Sequence, residues 1–103
     1  MINYILFNYK SIAFNQKASG NWNEKILLLT ATKTINDLKS ENKNIKSLQN
    51  LSDDSLITLV ALKLLNNFFS ENRVEWKFVF QKGKKWLKEA NKMDDKKIDE
   101  ILS

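Results

Sequence analysis

A chain of 103 residues with no proline and only two glycines, Gly20 and Gly83, has almost no position at which its backbone must break. Helix is therefore the default, and the apolar spacing agrees with it along most of the length. Ile2, Ile5, Leu6, Tyr9, Ile12 and Ala13 recur at helical intervals, although Ile2, Tyr4 and Leu6 also alternate as a strand would. Ser19-Gly20-Asn21 reads as a turn, with Gly20 free to take positive φ. Asn23 then caps a second helix over residues 24–39, with Trp22 and Leu27 at the two positions of a hydrophobic staple and Leu28, Ala31, Ile35 and Leu38 as its buried stripe. Residues 40–50 are polar, with Ile45, Leu48 and Leu51 plugging a loop or short helix.

The second half carries the strongest pattern. Ser52 caps a helix running to Phe69, in which Ile57, Val60, Ala61, Leu64, Leu65 and Phe68 crowd one side. Leu56, Leu59, Leu62 and Phe69 spread over the rest, leaving Lys63, Asn66 and Asn67 as its polar residues. A helix apolar almost all round belongs at the centre. Another helix follows from Val74 to Asn91, with Trp76, Val79, Phe80, Gly83, Trp86, Leu87 and Ala90 on one face. Its opening alternation, Val74, Trp76, Phe78 and Phe80, leaves a strand as the rival for that stretch. Gly83 sits inside the face, where glycine costs about 1 kcal/mol against alanine unless a close approach, here expected near Ala61, offsets it. Asp94 caps a short last helix with Ile98, Ile101 and Leu102 inward. The expectation is one all-α domain over residues 1–103, a compact bundle of about five helices around the central apolar helix at 53–69.

The chemistry this chain can perform is narrowed by two absences. Without cysteine there is no disulfide framework and no thiolate; without histidine there is no base poised near neutral pH and no imidazole ligand. Asp53-Asp54 and Asp94-Asp95 fall at helix starts, where carboxylates complement the macrodipole. No glycine-rich phosphate loop and no metal-ligand spacing is present, so neither cofactor nor metal nor small-molecule substrate is expected. The net charge is +5, yet only one of the 17 basic residues, Arg73, is arginine. Lysine is a hydrated point charge and not the forked donor of base and phosphate recognition, which argues against specific nucleic-acid binding. The apolar runs are broken by Asn or Lys well short of the roughly 20 residues a membrane span requires. Met1–Phe14 lacks the basic start and small-residue cleavage site of a signal peptide, so a cytoplasmic protein is expected.

Aromatic and basic residues remain as candidates. Trp22, Trp76 and Trp86 fall on core or staple positions, and core outweighs the partner-binding reading for all three. Phe78 points about 160° from the centre of the apolar face of its helix, among lysines. Such a ring is either covered by the N-terminal segment or offered to a partner. Lys77, Lys84, Lys85, Lys88 and Lys92 line the outer side of the helix, as a solvated face or a basic patch for an acidic partner, nucleic acid or an anionic membrane. Phe78, Lys82, Lys85, Lys88 and Lys92 form the candidate contact set.

Three segments carry a resemblance. Phe14-Asn15-Gln16-Lys17-Ala18-Ser19-Gly20-Asn21-Trp22 is similar to a Leu-Gln-x-x-Asp-Gly-x-Trp turn, with serine in the acidic place and one extra residue before the glutamine. Ile57-Thr58-Leu59-Val60-Ala61 loosely resembles an Ala-Thr-Ala-Leu-Ala helix. Glu75-Trp76 with Lys82-Gly83-Lys84-Lys85-Trp86-Leu87 resembles a Glu-Trp … Lys-Ala-x-x-Trp-Leu helix. In this order, from Ile12 to Ala90, they resemble the C-terminal helical domain that follows VIT and von Willebrand A domains in intracellular proteins. The departures are Leu56, where an aromatic commonly opens the central helix, and Gly83 for alanine. The resemblance implies a non-catalytic docking module, the C-terminal part of a longer protein. It also implies a partner, the major vault protein, which the corresponding region of the vault poly(ADP-ribose) polymerase binds. Gln16, Gly20, Trp22, Trp76, Gly83 and Trp86 would be its structural motif. The alternative is a basic helical module for nucleic acid or an anionic surface.

Overall fold

The computed structural model describes residues 9–23, residue 26 and residues 51–102, and within them the protein is all-α with no strand. Four helices follow in order: α1 (Tyr9–Phe14), α2 (Asp53–Phe68), α3 (Arg73–Asn91) and α4 (Asp95–Leu102), with a short 3-10 turn at Ser70–Asn72 between α2 and α3. The expected helix over residues 24–39, the polar stretch 40–50 and the start of the first helix lie outside the described residues.

Helices α2 and α4 begin where the sequence places a cap. Ser52 Oγ accepts the amide of Ser55 at 3.2 Å, with Asp53 and Asp54 in the first turn of α2. At α4, Asp94 Oδ1 accepts the amide of Lys97 at 2.8 Å. The end of α3 is marked by Lys92 in the left-handed region, φ 54°, the conformation that turns a chain out of a helix.

Helix α2 is central, as its all-round apolarity requires. Leu56, Ile57, Leu59, Ala61, Leu62 and Leu65 are buried; Lys63 and Asn67 are exposed. Helix α3 packs along it through Trp76, Gly83 and Leu87, and α4 closes the far side with Ile98 and Leu102. The α3 stripe is narrower than its sequence suggests. Val79, Phe80 and Trp86 are half-buried and Ala90 is exposed, because only the turn facing α2 is fully covered. The strand reading of Val74–Phe80 fails: these residues are helical, and their alternation is a by-product of a broad amphipathic face.

Two polar ties lock the ends of the α2–α3 pair. Asn91 Nδ2 donates to Ser55 Oγ at 2.9 Å and to the Leu87 carbonyl at 3.2 Å, joining the end of α3 to the start of α2. At the other end, Trp76 Nε1 donates to the Phe69 carbonyl at 2.7 Å, fixing the turn between the helices. Among the described residues no buried side-chain nitrogen or oxygen lacks a partner, as a stable interior requires.

Candidate interaction surface

One joint positions the outer face of α3, and both glycines lie in it. Residues 16–22 form a turn closed by the Gly20 amide on the Lys17 carbonyl, 2.9 Å, and the Lys17 amide on the Asn21 carbonyl, 2.8 Å. Gly20 holds φ 113°, and a Cβ there would stand 2.7 Å from the Lys82 carbonyl oxygen. On α3, a Cβ at Gly83 would meet Trp22 Cζ3 at 2.8 Å, Leu62 Cδ2 at 3.1 Å and the Gly20 carbonyl at 3.4 Å. The two backbones thus touch only because neither carries a side chain. Gly83 was expected to make room near Ala61; its neighbours are instead Trp22 and Leu62, because the turn and not α2 alone fills the gap.

The remaining motif residues tighten this joint. Gln16 Nε2 donates to the Gly20 carbonyl and to the Val79 carbonyl, each at 2.9 Å. Val79 lies four residues before Gly83, whose missing side chain leaves that helical carbonyl open to a second donor. Trp22 is fully buried; its indole donates to the Ile12 carbonyl at 2.7 Å and its amide to Thr58 Oγ1 at 3.0 Å. Trp22 therefore clamps α1, α2 and α3 together, a larger role than stapling one helix entry; its expected staple partner Leu27 is outside the described residues. Sequence reasoning missed Ser55, Thr58 and Asn91. The signal available was a hydroxyl pair three apart on an otherwise apolar face, which needs partners if buried.

With the inner face committed, the outer face of α3 is what the protein presents. Phe78 is 75% exposed and Val74, one turn before it, 87% exposed, so the described residues leave the ring open; the start of the N-terminal segment lies outside them. Lys82 and Lys85, one and two turns on, are exposed, and so is Lys92 at the far end of the helix. Lys88 stands apart from the other candidates: its Nζ lies 3.2 Å from Asp95 Oδ2. Lys84 is likewise engaged, 2.8 Å from Asp99 and 3.6 Å from Asp95. The lysine face thus splits into a half neutralised by α4 and a free half beside Phe78.

The charges record this split. Burial acts to lower the Lys84 pKa, but the Asp99 and Asp95 carboxylates outweigh it and hold the ammonium above its ordinary value. The Lys88 hydrogen bond, helped by Lys84, holds Asp95 below the ordinary carboxyl range. On the opposite flank the nearby Glu75 carboxylate, with some desolvation, raises the Tyr9 phenol above its ordinary value.

Among the described residues no cluster of acidic side chains is arranged to hold a metal, and no helix is long and apolar enough to cross a membrane. Comparison with known proteins gives no matching family model, no matching characterised protein and no matching solved structure.

Proposed function

We propose that this protein is a non-catalytic protein-interaction module whose docking face is the outer side of α3. The observation that carries the reading is Phe78: a large ring left three-quarters exposed on a helix whose opposite face packs into the core through Trp76, Gly83 and Leu87. Val74, one turn before it, extends the exposed apolar surface, and contiguous apolar surface of this kind is what contact sites are built on. The absence of histidine and cysteine from the sequence supports a non-catalytic role. In this reading Phe78 supplies the apolar contact, Lys82, Lys85 and Lys92 favour an acidic partner, and the tryptophans hold the shape.

For the partner we propose the major vault protein, met in the cytoplasm; this identity rests on the sequence resemblance alone. The test is capture of the chain by purified major vault protein at moderate salt, with an unrelated basic helical domain as control. Selective capture that drops in Phe78→Ser is the expected result. Capture of both domains alike, or of neither, overturns the vault assignment.

The free lysines favour a second reading, in which the same face holds nucleic acid or an anionic surface. Such binding falls steeply as salt rises, because counterion release drives it. Docking through Phe78 persists at salt concentrations that abolish a purely ionic contact.

A further inference from the structure

Beside the Phe78 face, α3 borders a groove of about 720 Å3 that it shares with α2 and α4. Its floor is aromatic: the Trp76 and Phe80 rings lie 5.5 Å apart, tilted by 44°. Leu102 closes one side and Val74, on the exposed ridge, the other. Asn66 of α2 and Asp99 of α4 complete the polar rim.

The charge of this rim is one-sided. Arg73 is held in place by two contacts, its Nη2 donating to Asn66 Oδ1 at 2.9 Å and its guanidinium standing 5.7 Å from the Trp76 ring centre. Neither contact supplies a negative charge, so the cation is oriented but not neutralised, and most of its donors stay free. Lys77, one turn along, is exposed and makes no ion pair among the described residues. The groove's third cation, Lys84, is cancelled by Asp99. Two uncompensated cations therefore stand at one end of an apolar trough.

We infer that this groove receives an acidic amphipathic segment of the partner protein, with an apolar side chain over Phe80 and flanking carboxylates on Arg73 and Lys77. Arginine's fork matches a carboxylate in two parallel hydrogen bonds, and here it is already aimed. An amphipathic segment laid in an apolar groove is a recurrent mode of peptide recognition. A nucleic-acid strand fits less well: it stacks bases on open rings and tracks a row of cations. Trp76 is closed, only 2% exposed, and the free cations are two. A small molecule is held less well too, since such ligands bury most of their surface in enclosed pockets, whereas this groove is open along one side.

The inference deepens the interaction reading and rests on it. The test titrates the full chain with a fluorescein-labelled helical peptide carrying Leu and Phe on one face and Glu on both flanks. A peptide with Lys in place of each Glu is the control. Wild type, Lys77→Glu and Phe78→Ser are compared, since both positions are exposed and neither change should disturb folding, which circular dichroism verifies. The acidic peptide is expected to bind, the basic control not, and Lys77→Glu to weaken binding roughly tenfold while Phe78→Ser weakens it less. No binding of the acidic peptide, or binding untouched by Lys77→Glu, overturns the groove assignment. Loss confined to Phe78→Ser does so too, while leaving the wider interaction reading standing.

Discussion

At the scale of single residues, the fold turns on two glycines and one tryptophan, and the two glycines predict different penalties. Alanine at Gly83 gains about 1 kcal/mol in helix propensity but pushes into Trp22, which cannot yield because its indole is tied to Ile12. Overpacking of this kind costs about 1–3 kcal/mol, so Gly83→Ala should lose about 1 kcal/mol net. Gly20→Ala meets a backbone carbonyl in place of a ring edge and must also hold positive φ. It should lose about 3 kcal/mol, the upper end of what a residue held in a sparsely populated backbone region costs. Urea unfolding followed by tryptophan fluorescence checks the order; a Gly83 variant weaker than the Gly20 variant would contradict the joint. That Gly20 turns and that Gly83 needs a close neighbour could both be read from the sequence. That they need each other could not, because periodicity speaks of one helix at a time and this contact joins residues 63 positions apart.

At the scale of elements, α4 is held by charge as well as by Ile98 and Leu102, and its docking should therefore follow pH. Asp95 is depressed by Lys88 and Lys84 from its ordinary 3.8, so its contribution is present above that pH and lost as pH falls through the lowered folded value. Lys84 is raised from 10.5, so its contribution is present below that pH and lost as pH rises through the raised folded value. Amide protection in α4, taken relative to intrinsic exchange at each pH, should thus be highest between these limits and fall on both sides, while that of the α2–α3 pair changes little. Asp95→Asn should remove most of the acid-side change. In about 1 M salt, where the screening length shrinks to about 3 Å, α4 exchange should quicken at neutral pH as well. An α4 profile flat with pH and salt would mean that its two buried side chains alone hold it. The capping residues Ser52 and Asp94, the central α2 and the extent of α3 were all legible, because caps and amphipathic faces are local signals. The division of the lysine face was not, since it depends on which side α4 folds back to.

At the scale of the whole molecule, α3 has two faces of different character. Its inner face, through Trp76, Gly83 and Leu87, holds the bundle together. Its outer face, through Phe78 and the exposed lysines, is the face proposed for docking. The sequence placed Phe78 on the outer side but left open whether another segment covered it, since only the packed chain shows what lies over a surface. The measurement that tests this division most directly is thermal unfolding of Phe78→Ser beside Trp86→Ala. Truncating the half-buried Trp86 removes packing against the core and should lower the Tm by several degrees. Phe78→Ser should stay within about 0.5 kcal/mol of wild type, as surface substitutions do. If Phe78→Ser lowers the Tm as far as Trp86→Ala does, the ring is part of the core and the outer face of α3 is not the docking surface.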